Sequence, residues 1–193
     1  IVGKIAVDIP LFRSNTGWHN VCNRLEEEND ISFYHRGYPP SHRWQYGGSS
    51  LMWSETLSRV VVNAGLWIGN PDVDAVTRLE RPLNVIGHAG TTFGLLPGTW
   101  SPFNCQNTAL ARKGIPAYFM SPYIGRHDDI FASYVVTMLA EHFGDVVAFG
   151  APLSNHQLTP HDLWKDLDAE RWGMQATDQF CDILRSMKLD AAT

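Results

Sequence analysis

The chain has 193 residues, of which 44% are hydrophobic, 18% charged and 11% aromatic; this composition fits one compact globular unit and excludes a disordered, fibrous or repeat protein. Fifteen Lys and Arg against twenty Asp and Glu leave a formal charge of −5, so nucleic acid is not indicated and neither is an anionic membrane surface. The longest apolar stretch, Val60 to Ile68, is broken by Asn63 and falls short of the roughly 20 residues that cross a bilayer, so no membrane span is expected.

In chain order, Ile1 to Pro10 alternates Ile5, Val7 and Ile9 with Lys4, Ala6 and Asp8, a half-buried strand ending at a proline. A short helix is expected from Gly17 to Glu28. The aromatics of Ile31 to Pro39 predict a strand that stops at Gly37 and Pro39-Pro40, leaving Arg36 at its end or on a loop. A flexible stretch, Gln45 to Ser50, precedes a buried strand over Arg59 to Ile68, closed by Gly69-Asn70-Pro71. Residues 81–122 read as loops over a scaffold, with a short strand at Ala117 to Met120. Asp128 to Phe143 is the clearest helix, with Phe131, Tyr134, Val135, Met138, Leu139 and His142 on one face and Gly144 as its stop. A strand follows at Asp145 to Gly150. The tail from 158 to 193 is helical, starting at Thr159-Pro-His-Asp162 and broken at Gly173. Mixed signals without repeat or linker define one α/β domain or part of one.

Cys22, Cys105 and Cys181 match neither a disulfide framework nor a paired zinc motif. They point to a reducing, cytoplasmic setting or the cytosolic face of membranes. Ile1 lies inside a strand pattern with no initiator Met and no signal peptide, so residues upstream are expected.

Three groups of residues could carry chemistry. Arg126-His-Asp-Asp129 sets two carboxylates at a helix start, where one suffices as a cap; the second, beside Arg126 and His127, suits acid–base work or hydroxyl binding. His156 follows a strand end, where an imidazole can complete a metal site, and the competing reading is an exposed loop histidine. Asp72-Val-Asp74 imitates a metal-binding carboxylate pair, but after Asn70-Pro71 it also reads as a turn cap. Seven tryptophans could stack on sugars or bases, or simply fill the core. The phosphate-loop, dinucleotide, serine-hydrolase and zincin motifs are absent.

The order of motifs resembles the reversibly glycosylated polypeptides, the family that includes UDP-arabinopyranose mutase. The resemblance rests on Arg36-Gly-Tyr-Pro39, Ala64-Gly-Leu-Trp-Ile-Gly-Asn-Pro-Asp-Val-Asp-Ala75, Cys105-Gln-Asn-Thr-Ala-Leu110 with Ala117-Tyr-Phe119, and Ile124-Gly-Arg-His-Asp-Asp-Ile130. It covers residues 31–157 and implies a GT-A-like mixed sheet with flanking helices, of which residues 1–193 form the C-terminal portion. It also implies a nucleoside-diphosphate sugar site, UDP-sugar first, assisted by a divalent cation, Mn2+ or Mg2+. The Asp-x-Asp metal motif of such enzymes has no counterpart here, so the nucleotide-binding half is expected upstream of Ile1, with His156 as the late metal ligand. By position Arg36 corresponds to the arginine linked in the family to self-glycosylation, although a permanently protonated guanidinium is a poor nucleophile.

The resulting expectation is a glycosyltransferase with an oxocarbenium-like transition state. Asp129 and then Asp128 are its catalytic carboxylates, and Arg126, Trp67, Asp72, Asp74, Asn107 and Arg36 contact the sugar, phosphate or acceptor. Asp129→Asn is expected to fold and lose turnover. The alternatives are a UDP-sugar mutase interconverting pyranose and furanose forms, and a non-catalytic partner subunit; an oligomer or a second chain completing the site is compatible with each.

Overall fold

The computed structural model describes residues 6–7, 9–43, 45, 49–52 and 58–190. Nine strands are defined among them: β1 (Ala6–Val7), β2 (Leu11–Ser14), β3 (Leu25–Glu27), β4 (Ser49–Met52), β5 (Ser58–Gly69), β6 (Val85–His88), β7 (Phe93–Leu95), β8 (Thr108–Leu110) and β9 (Asp145–His156). The α-helices are α1 (Ala75–Glu80), α2 (Asp128–His142) and α3 (Leu163–Ser186). One mixed sheet runs β3-β6-β5-β9-β7-β2-β4, with β1 and β8 also pairing to β5. The β5/β9 and β2/β7 pairs are parallel and the others antiparallel. This is an α/β, GT-A-like architecture.

The apolar run at the start of β5 buries Val61, Val62, Ala64, Leu66 and Trp67. With Val85, Phe93, Leu95, Val147 and Phe149 from neighbouring strands, and Val136 and Ala140 from α2, they form the main core. A second cluster joins Trp18, Tyr38 and Trp100 to Ile130, Phe131 and Tyr134 of α2 and Cys181 and Leu184 of α3. The Phe131 and Phe180 rings stack at 4.4 Å between the two helices. The Arg185 guanidinium lies 4.6 Å from each of the Trp18 and Trp100 rings, which clamps the end of α3 to the loops beneath it. Burial therefore runs round most of α2, beyond the single face that its sequence periodicity marks.

Several sequence expectations change. The expected helix over 17–28 is a 3-10 turn, Val21–Arg24, followed by β3. Asn20 accepts from the Cys22 amide and donates to the Phe33 carbonyl at 2.7 Å, and Leu25 turns extended to pair with β6. Residues 31–39 form no ladder, because the Arg36 amide bonds the Asp72 carbonyl at 2.8 Å and Gly37, at φ +77°, turns the chain. Near 117–120 the chain instead forms a 3-10 turn, Arg112–Ala117, with Pro116 inside it. The last strand runs on to His156. The first strand shows only β1; Lys4, Ile5 and Asp8 lie outside the described residues, as do 46–48 of the expected flexible stretch and Trp44 and Trp53. Asp162, not Thr159, caps α3, accepting from the Trp164 and Lys165 amides.

Gly173 does not break α3. A Cβ there would lie 2.6 Å from Nδ1 of His127, a fully buried ring packed against the glycine. An exposed helical Gly→Ala substitution stabilises by about 1 kcal/mol; Gly173→Ala is expected to destabilise by about 2 kcal/mol through overpacking, and His127→Ala in the same chain to restore most of the loss. Urea midpoints of the two variants check this, and a midpoint raised by Gly173→Ala would contradict the packing.

Burial holds the His127 imidazole down at about 4, so it stays neutral while the unfolded chain takes up a proton below about 6.5. Its contribution is complete above that range and drains away as pH falls from about 6.5 to 4, a cost of order 3 kcal/mol. His127→Phe should flatten the decline in urea-unfolding free energy between pH 6.5 and 4.5; an unchanged slope would contradict it.

Candidate functional site

The chain beyond β5, Asn70-Pro-Asp-Val-Asp74, meets the start of α2 at one buried guanidinium. Arg36 Nε donates to both oxygens of Asp72, at 2.9 and 3.2 Å, and Nη2 to both oxygens of Asp129, at 3.1 and 3.2 Å. Its Nη1 donates to the Arg126 carbonyl. Asp72 also accepts from Asn104 Nδ2 at 2.6 Å and Arg78 Nη2 at 3.4 Å. Burial would raise the Asp72 carboxyl, but the Arg36 guanidinium beside it holds it well below the usual carboxylate range. Burial likewise opposes the Arg36 charge, and Asp72 and Asp129 together more than restore it.

Asp129 accepts from the Cys105 amide at 3.3 Å and from the Ile130 amide at 2.9 Å. Asp128 accepts from the Asp129 amide at 2.7 Å and is half-buried. The two carboxylates thus diverge, as their redundancy at a helix start suggested, but the inner one turns to Arg36 instead of the neighbouring Arg126 and His127. Arg126 reaches α3, donating to Asp166 at 2.9 Å and to Glu170 at 3.2 Å. Glu170 is fully buried and accepts from the Ala75 amide at 2.8 Å; burial raises its carboxyl. Asp74 caps α1 through the Thr77 amide at 2.9 Å and pairs with Arg43.

A cleft of about 470 Å3 opens over the middle of β5, bounded by Asn63, Gly65, Thr92, the Cys105–Ala109 segment, Gly150, Ala151 and Leu153. Two features of the backbone make it. Between Gly65 and Trp67 β5 advances two residues while β9 advances four, Gly150 to Ser154, so Ala151 to Leu153 bulge out of the ladder. Glycines form its floor: a Cβ on Gly65 would lie 2.7 Å from Asn107 Cγ, and one on Gly150 2.8 Å from Asn63 Oδ1. Asn107 Nδ2 donates to the Leu66 carbonyl at 3.1 Å. Among the described residues the lining carries amides, hydroxyls and one exposed thiol, Cys105, and no charged side chain. Such a surface suits a neutral polyol better than a diphosphate. The Cys105 amide on Asp129 links the cleft to the ion network, and burial raises the thiol above its ordinary range.

At the carboxyl ends of the parallel pair β5/β9, Gly69 lies opposite His156. His156 Nδ1 sits 2.8 Å from the Asn70 carbonyl, and Asn70 Oδ1 accepts from the Leu158 amide at 3.1 Å. A carbonyl only accepts, so the proton belongs on Nδ1, and Nε2 keeps the lone pair that a metal ligand needs. No group of three His, Cys, Asp or Glu side chains is placed to hold a metal among the described residues.

The structure therefore brings Arg36, Asp72, Asp129 and Arg126 into one network, with Asp128 and Asp74 at its edges. Asn107 lies in the cleft and His156 apart from both. Trp67 is buried, its ring 5.0 Å from that of His35, within the core. Asn104, Arg78, Asp166 and Glu170 escaped the sequence reading, since nothing local marks a long-range ion partner. Gly65 and Gly150 were not singled out either, although a glycine inside a strand is the signal that could have marked the close approach.

The α/β sheet is GT-A-like, with a parallel pair ending at a histidine and a glycine-floored polar cleft. Three curated relatives carry the resemblance further. UDP-arabinopyranose mutase 3 of Arabidopsis thaliana is 31% identical over 129 residues, 62% of this chain and 36% of that protein. UDP-arabinopyranose mutase 1 of Arabidopsis thaliana and probable UDP-arabinopyranose mutase 2 of Solanum tuberosum are each 31% identical over 128 residues, 63% of this chain and 32% of theirs. Over about three fifths of its length the chain is thus homologous to the UDP-arabinopyranose mutases, the reversibly glycosylated polypeptide family that its motifs resemble. It spans about a third of the length of these relatives. No family model matches the chain. No helix among the described residues is long and apolar enough to cross a membrane.

The network changes what Asp129→Asn should do. Neutralising Asp129 weakens the charge-assisted bonds at Arg36 Nη2 while Asp72 still holds Nε, so the variant is expected to lose about 2 kcal/mol of unfolding free energy in urea. A loss below about 1 kcal/mol would mean that the Arg36–Asp129 contact carries no structural weight.

Proposed function

We propose that the chain is part of an enzyme that acts on a UDP-sugar, and that its reaction interconverts pyranose and furanose forms rather than transferring the sugar to a separate acceptor. The homology to UDP-arabinopyranose mutases carries this reading, and it favours the mutase over the glycosyltransferase expected from sequence. The uncharged cleft supports it, because amides and hydroxyls there match the hydroxyls of a sugar ring.

Ring-form exchange breaks one C–O bond at the anomeric carbon, forms another from a second sugar hydroxyl, and moves that hydroxyl's proton to the released oxygen. Positive charge develops at the anomeric carbon, so a carboxylate and oriented amide dipoles lower the barrier. Asp128 is not part of the cleft's lining; half-buried at the start of α2 with one oxygen on the Asp129 amide, it is our candidate for carrying the proton of a sugar that extends from the cleft toward that helix. Asp129, saturated by Arg36 and two amides, positions the Cys105–Asn107 segment, and Asn107 binds the ring. Arg36, with Nε, Nη1 and Nη2 all engaged, serves this framework and not as a glycosyl acceptor.

A divalent cation, Mn2+ or Mg2+, fits His156, whose Nε2 would be one ligand; the others are proposed to come from an Asp-x-Asp strand in a nucleotide-binding half outside these residues. Bound there, it supplies Lewis-acid neutralisation of the diphosphate. A cytoplasmic setting and a second chain completing the site belong to the same proposal.

Incubating the full reading frame with UDP-arabinopyranose and Mn2+, without acceptor, is expected to yield the furanose form by proton NMR, and Asp128→Asn to slow this at least 100-fold with an unchanged urea midpoint. Binding of the nucleotide sugar without ring exchange would return the reading to a transferase. No binding would point to the non-catalytic partner.

A further inference from the structure

At the amino ends of β5 and β9, opposite His156, a second cavity of about 350 Å3 lies between β5, the 112–117 turn and α2. Its walls are apolar: Val61, Ala117, Val136, Leu139, Ala140 and Phe143. Small residues leave the room, since Gly114 has no side chain and a Cβ on it would come within 3.2 Å of Val61. The backbone is shaped to match. From Val60 to Val62 β5 advances two residues while β9 advances one, so Val61 is the extra residue of a bulge, the device that re-aims a side chain.

Three charged groups line the cavity. Arg59 Nε donates to one oxygen of Asp145 and Lys113 Nζ to the other, and Arg59 Nη2 donates to the Phe143 carbonyl at 3.2 Å. The carboxylate is 2% exposed while the two cations are 40% and 44% exposed. Among the described residues one buried negative charge thus faces two accessible positive ones, which leaves a single positive charge in excess beside an apolar chamber of ligand size.

We infer that this cavity binds a small amphipathic monoanion, its apolar body on Val61, Leu139 and Phe143 and its anionic head on Arg59 and Lys113. The site is separate from the sugar cleft and does not depend on the reaction assigned to that cleft. An anion completes the charge balance around Asp145 and displaces water from apolar walls that no side chain of the described residues fills.

Calorimetric titration with octanoate and with 1-octanol tests the charge and the chamber together. Saturable one-to-one binding of octanoate is expected, with octanol at least tenfold weaker and UDP not competing. Ala140→Leu and Ala117→Leu, which fill the chamber, should each abolish it while melting at or above the parent; if Ala140→Leu overpacks and melts lower, Ala117→Leu carries the test. Lys113→Gln should weaken octanoate and leave octanol unchanged. No saturable octanoate binding, equal affinity for octanoate and octanol, or binding that survives Ala117→Leu would each overturn the inference.

Discussion

Everything near the candidate site hangs on the burial of one cation. The Arg36 guanidinium is drawn out of water between Asp72, just beyond β5, and Asp129, in the first turn of α2, with the Arg126 carbonyl taking a third N–H. Removing such an ion from water costs several kcal/mol unless its donors find acceptors. The planar fork satisfies that condition in one arrangement, so it fixes the strand end against the helix start. Asp129 passes the constraint on to the Cys105 amide, and through it to the wall of the cleft.

The same logic explains why α3 is part of the site's framework and not a loose tail. Arg126 and Arg78 would carry surplus charge at the network's outer side, and α3 supplies Asp166 and Glu170 to meet them. Glu170 also takes the Ala75 amide at the start of α1, so one buried carboxylate joins two helices. Gly173, one turn on, lets His127 sit flush against the helix. The ion network bears on how firmly the cleft's Cys105 wall is held.

What the sequence disclosed divides along physical lines. β5 and α2 were legible because a long apolar run and a 3.6-residue period are local signals. The 3-10 turn at Val21 and the irregular path of residues 31–39 were not, because Asn20 and Arg36 there spend their hydrogen bonds on distant partners. Arg36, Asp72, Asp129 and Arg126 were singled out by type and motif, yet their mutual pairing spans up to 93 positions and no spacing rule reports it. Asp129 was read as a catalytic carboxylate and the other three as substrate contacts, and the sequence could not show that they pair with one another, since residues buried around an ion pair and residues lining a cleft look alike in one dimension. Gly173 was misread for a related reason: a glycine that breaks a helix and one that admits a neighbouring ring carry the same letter.

The central claim, that the Arg36–Asp129 pair couples the strand end to the helix, is tested most directly by a double-mutant cycle on urea-unfolding free energies with Arg36→Met, Asp129→Leu and the pair. The account predicts a coupling energy of at least about 2 kcal/mol, with the double variant more stable than either single one expects. Additive losses would show that the two residues contribute independently and that the buried cation does not organise the site.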